Sequence, residues 1–83
     1  MISVELHLSS GVDRLECAEV QLVCDDDGIG ELIRILQQRR EHGGHDHLMT
    51  PAWAGNELNE VPHEPGNIIV NHLRIQVVPA KDK

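Results

Sequence analysis

Ile2, Val4, Leu6 and Leu8 alternate with Ser3, Glu5, His7 and Ser9. That period of two is the pattern of a strand with one buried face. SSGVDR, residues 9–14, reads as a turn or loop. CAEVQLVC then repeats the alternation, with Ala18, Val20, Leu22 and Cys24 set against Glu19, Gln21 and Val23. The short connection predicts antiparallel pairing of the two strands. The period next changes to that of a helix. In DDDGIGELIRILQQRREH, Ile29, Leu32, Ile33 and Leu36 share one face, and Ile35 widens the stripe. Either Asp27 caps the start, or Gly28 does with Glu31 at the third helical position. Acidic residues precede the helix and Arg39, Arg40 and His42 occupy its end, as the helix dipole favours. Gly43-Gly44 stops it.

HDHLMT is short and predicts a third strand. PAWAGNELNEVPHEPGN follows, rich in Pro, Gly and Asn, and reads as a long excursion. It is too long for a plain connection in so small a chain, and loops of this length are disproportionately functional. IIVNHLRIQVV predicts a last strand, with Leu73, Ile75 and Val77 on one face and His72, Arg74 and Gln76 on the other. Pro79 and the tail AKDK end it. The expected fold is α+β: one domain over residues 1–83, a small mainly antiparallel sheet in the order β-β-α-β-β, with one helix on a face. The pattern does not order the strands within the sheet.

Composition narrows the core and the partners. The chain has no Phe or Tyr, so Ile, Leu and Val must build the interior. Its formal net charge is −7, and between Glu41 and His72 there is no Lys or Arg. Nucleic acid and anionic membrane surfaces need clustered positive charge, so neither is an expected partner. A basic protein surface is a suitable one. Cys17 and Cys24 sit in one expected strand at an odd offset, which places them on opposite faces roughly 23 Å apart. A disulfide needs Cα atoms within about 7 Å, so two reduced thiols are expected. Reduced thiols, with no signal-peptide pattern at MISVELHLSS and no apolar run of membrane length, suit a cytoplasmic protein.

Few residues form a chemical constellation. His45 and His47 share a face if HDHLM is a strand, and with His72 they could present imidazoles to a metal. His63 could add another ligand. A histidine pair at alternate positions is a weak signal, since CxxC and HExxH patterns are absent. DDDGIGE fits neither a calcium loop, which would need oxygen ligands where Val23 and Arg34 stand, nor a dinucleotide loop, which would need glycine at Ile33. Ser9 and Ser10 lack a glycine elbow, and mid-strand thiols usually pack as small hydrophobes. No enzyme activity and no cofactor are expected. Trp53 stands apart, because a lone tryptophan in a Pro- and Gly-bounded loop either plugs the core edge or is displayed as an interface anchor.

The stretch HDHLMTPAWAGNELN, together with VNHLRIQVV, resembles family thirty-two of the small bacterial immunity proteins from polymorphic toxin systems. The matching positions are His47, Leu48, Met49, Pro51, Trp53, Gly55, Glu57 and Leu58, then Asn71, His72 and Leu73. They cover the second half of the chain; the first half agrees only as strands followed by a helix. The pattern has a second glycine where this chain has Ala54. The resemblance implies binding and neutralisation of a cognate toxin. Met49, Trp53, Glu57, Glu60 and Glu64 are then the expected partner-binding residues, the glutamates meeting a basic toxin surface while Trp53 fills a pocket. The alternative is a small metal-binding or regulatory module using His45, His47 and His72.

Overall fold

The computed structural model describes residues 1–8 and 18–79. The expected turn at 9–14, the strand start at Cys17 and the AKDK tail lie outside the described residues. Strand β1 (Ile2–Leu8) pairs antiparallel with β2 (Ala18–Cys24) along its whole length, from Ile2 opposite Cys24 to Leu8 opposite Ala18. On the other side of β1 lies β4 (Ile68–Ile69), giving the order β2-β1-β4. A second antiparallel sheet joins β3 (His45–Met49) to β5 (His72–Gln76), with Met49 opposite His72. With helix α1 (Asp26–His42) between β2 and β3, the expected α+β architecture holds. Among the described residues no helix is long and apolar enough to cross a membrane.

The last strand is not continuous, and the sequence contains the reason. Ile68 pairs with Leu6, so the even positions Ile68 and Val70 follow the face of β1 that carries Leu6 and Val4. Farther on, the odd positions Leu73 and Ile75 pack against the core. A strand alternates strictly, so the chain must break step between them. It does so at Val70-Asn71: the Val70 N–H donates to the Val4 carbonyl at 2.8 Å, and the Asn71 carbonyl accepts from the Thr50 N–H at 3.0 Å. One extended segment thus passes from the first sheet to the second.

Helix α1 starts two to three residues earlier than the sequence suggests. Neither Asp27 nor Gly28 is the cap; Asp25 is, its carboxylate accepting the Gly28 N–H at 2.8 Å and the N-terminal ammonium at 2.5 Å. Both contacts hold the Asp25 carboxyl below its usual range, the ammonium more than the amide. Gly28 serves packing instead. A Cβ placed there would lie 1.9 Å from the Met1 carbonyl oxygen, so the missing side chain lets the helix close on the N-terminus. That contact also selects the buried face. Gly28, Leu32 and Ile35 turn inward, whereas Ile29, Ile33 and Leu36 of the expected stripe are about half exposed. At the far end the Gly43 N–H donates to the Arg39 carbonyl, and Arg39 lies 3.1 Å from the Asp46 carboxylate on β3.

Ile2, Val4, Ile35, Leu48 and Leu58 form the buried core. The opposite face of β1 was expected to meet solvent, yet Ser3 and Glu5 are fully buried there. The excursion after Trp53 covers them. Glu5 accepts four hydrogen bonds: from Ser3 Oγ at 2.6 Å, the His63 N–H at 2.8 Å, Asn67 Nδ2 at 2.9 Å and the Glu64 N–H at 3.3 Å. The Ser3 bond, opposed by burial and reinforced by the other three, holds the Glu5 carboxyl down to about 2. Donors that bind the ionised form are what depress a carboxyl in this way.

Two tests follow from this packing. Gly28→Ala should lose about 2 kcal/mol of stability in urea unfolding, because overpacking against Met1 outweighs the helix propensity gained. Glu5 ties stability to pH with a definite sign. Its folded value lies below the ordinary 4.5, so its contribution is complete above 4.5 and is lost as pH falls toward about 2. The difference in urea midpoint between the wild type and Glu5→Gln should therefore be largest at neutral pH and shrink across that window. A constant difference would remove Glu5 as the cause.

Candidate functional site

Thr50, fully buried at the end of β3, organises the loop that carries the tryptophan. Its carbonyl accepts the Trp53 N–H at 2.9 Å and the Gly55 N–H at 3.0 Å. Its hydroxyl donates to Asn71 Oδ1 at 2.7 Å, tying the loop to the crossing between the sheets. Pro51–Trp53 form a single 3-10 turn, with proline at the first position, where its fixed φ suits a helical start. Ala54 closes the turn at φ 65°, in the left-handed region, and its N–H donates to the Pro51 carbonyl at 3.0 Å. Gly55 then passes so near β3 that a Cβ would lie 2.5 Å from the Met49 carbonyl oxygen. Trp53 is 54% exposed, so it does not plug the core edge.

The exposed indole has company. His72 lies beside it, ring centroids 5.7 Å apart and tilted by 36°. His47 lies on the other side of His72, centroids 4.8 Å apart, with Nδ1 of His47 2.6 Å from Nε2 of His72. One of these nitrogens donates the proton and the other accepts it. His45 meets His47 edge-on at 4.9 Å. Although His47 is exposed, partial desolvation by its neighbours, followed by electrostatic repulsion from His45, His72 and Arg74, lowers its pKa against the opposing Asp46. The rings are linked in the order Trp53, His72, His47, His45, and the three histidines lie on the face of β3 and β5 opposite Leu48, hence away from α1. Among the described residues, no three or more His, Cys, Asp or Glu side chains are grouped to hold a metal ion. His63 is used through its backbone, on Glu5.

The three expected glutamates have different surroundings. Glu57 turns back to accept the Met49 N–H at 3.0 Å, and it lines a cavity of about 340 Å³ with Asp27 and Glu31 from the helix start. Glu60 is exposed. Glu64 is also exposed, with Oε2 3.4 Å from Asn67 Nδ2, next to the buried Glu5. The motif residues divide in the same manner. Leu48 and Leu58 are core, Leu73 packs against it, Asn71 fixes Thr50, and Met49 is half-buried beneath the turn. His47, Trp53 and His72 are the ones brought together outward. Thr50 escaped sequence reasoning, although a threonine directly before a Pro-started turn was a usable signal. Ser3, Glu5 and Asn67 gave none, because their partners come from distant parts of the chain.

Comparison with family models, curated proteins and solved structures gives no match to this chain.

The turn geometry makes its own prediction. Left-handed backbone costs a residue with a Cβ roughly 1–2 kcal/mol, and glycine returns part of that relief as unfolded-state entropy. Ala54→Gly should therefore raise stability by about 0.5–1 kcal/mol in denaturant titration, and leave the near-UV signal of Trp53 unchanged.

Proposed function

We propose that this chain is a non-enzymatic immunity protein of the family-thirty-two type, which binds a cognate bacterial toxin in the cytoplasm and neutralises it. The observation that carries the reading is the half-exposed Trp53, held on a turn fixed by the buried Thr50 and backed by His72 and His47. A large apolar side chain on a rigid mount loses little freedom on binding, which is what makes tryptophan an effective anchor. Three of the residues behind the family resemblance, from sequence positions 47, 53 and 72, are linked in that one series.

Charge supports the same reading. The segment from Glu41 to His72 has no Lys or Arg, and the chain carries −7 overall. The fitting partner is a basic toxin surface, with Glu60 and Glu64 on the exposed excursion and Glu57 at the cavity beside Asp27. The proposal distributes the acidic contribution as a field around the anchor, which speeds encounter more than it tightens the complex. Neutralisation then works by covering the toxin's active surface.

The test is calorimetry against a basic toxin domain encoded beside this gene. Trp53→Ala should weaken binding at least 30-fold, as loss of an anchor worth about 2 kcal/mol requires. In stopped-flow mixing, Glu60→Gln with Glu64→Gln should slow association and flatten its salt dependence. Binding indifferent to Trp53→Ala would sink the anchor.

A further inference from the structure

The helix side of the first sheet is only partly covered. Val20 pairs with Leu6 and Leu22 with Val4, so both lie on the face that packs against α1. They are nevertheless 67% and 54% exposed. β2 is also the outer strand of its sheet, and among the described residues its far edge pairs with nothing. The helix is oriented to match. Asp27 and Glu31 line the cavity shared with Asn56 and Asn59, and the Asn59 N–H bonds the Ile2 carbonyl. Val4 uses its carbonyl for Val70 on that same edge of β1, the edge away from β2. The opposite flank of α1, with Ile29, Ile33 and Leu36, therefore faces β2.

We propose that a second copy of this chain docks on this face, β2 against β2 about a twofold axis through Gln21. Antiparallel pairing centred there uses all seven residues of β2. It sets Val20 against the partner's Leu22 and Glu19 against the partner's Val23, so no like charges meet. Sliding one way leaves Val23 and Cys24 unpaired by the described strand. Sliding the other way puts Glu19 opposite the partner's Asp25. The product is a continuous sheet of two β4-β1-β2 halves, with both helices over one face. Twofold symmetry runs the helices in opposite directions. Asp26 and Arg40, which share the flank of Ile29, Ile33 and Leu36 at helical spacing, then approach the partner's Arg40 and the partner's Asp26. Free strand edges and contiguous apolar surface both favour such association, and charge fixes the register. This surface uses none of the residues around Trp53 and does not depend on toxin binding.

Sedimentation of the full chain should give twice the 9.3 kDa single-chain mass. Val20→Glu with Leu22→Glu, both at exposed positions, should restore the single-chain mass with an unchanged far-UV spectrum. A crosslink tests the register even if that variant unfolds. In a Cys17→Ser, Cys24→Ser background, Gln21→Cys should oxidise to a covalent dimer, while Glu19→Cys should stay monomeric on a non-reducing gel. A single-chain mass from micromolar to millimolar concentration overturns the proposal. So does Glu19→Cys crosslinking as readily as Gln21→Cys.

Discussion

An ionised carboxylate sealed inside an 83-residue protein is the constraint around which the rest is arranged. Among the described residues Glu5 has no cation beside it; two backbone amides, a hydroxyl and a carboxamide satisfy it instead. A buried charge left without such partners would be costly. Each donor therefore has a definite place to be. The excursion that follows Trp53 has little regular structure of its own, and Glu5 supplies what a longer strand would otherwise provide. Asn67 extends the arrangement by also bonding Gln21 on β2 and His7 on β1. The polar side of the first sheet is thus a network, and the apolar side is a small aliphatic core.

This division explains how so few buried aliphatics hold the chain. Small domains bury a modest fraction of their surface and have little hydrophobic surplus. Here the loop is fastened by hydrogen bonds to one face of β1 and the helix by packing to the other. Gly28 and Asp25 bring the helix start against Met1, while Arg39 and Asp46 hold its end near β3. Thr50 plays for the tryptophan turn the part that Glu5 plays for the excursion. In both cases a buried polar side chain, rather than a hydrophobic one, sets where the outer residues stand.

Legibility followed sequence distance. β1, β2, β3 and α1 were readable because alternation and helical spacing are local, and the stop at Gly43-Gly44 was equally plain. The helix face was only half readable: five apolar residues offered two adjoining stripes, and a backbone contact with Met1 decided between them. The break in the last strand was written in the switch from Ile68 and Val70 to Leu73 and Ile75, but an alternating pattern read from one end hides it. Trp53 could be located, though not its exposure, which depends on how Thr50 and Gly55 aim the turn. The burial of Glu5 had no local trace at all.

The pairing of β1 with β4 has a kinetic meaning as well. Glu5 and Asn67 are 62 residues apart, so most of the chain must be gathered before the carboxylate finds its donors. Closing so wide a loop is entropically expensive and slows the search for the native topology. The β1–β2 hairpin and the helix can form early from neighbours, whereas the excursion can settle only once both ends of the chain have met. The segment around His63, Glu64 and Asn67 therefore reaches its final place late, which makes completion of the outer surface beside Glu5 a late event in folding.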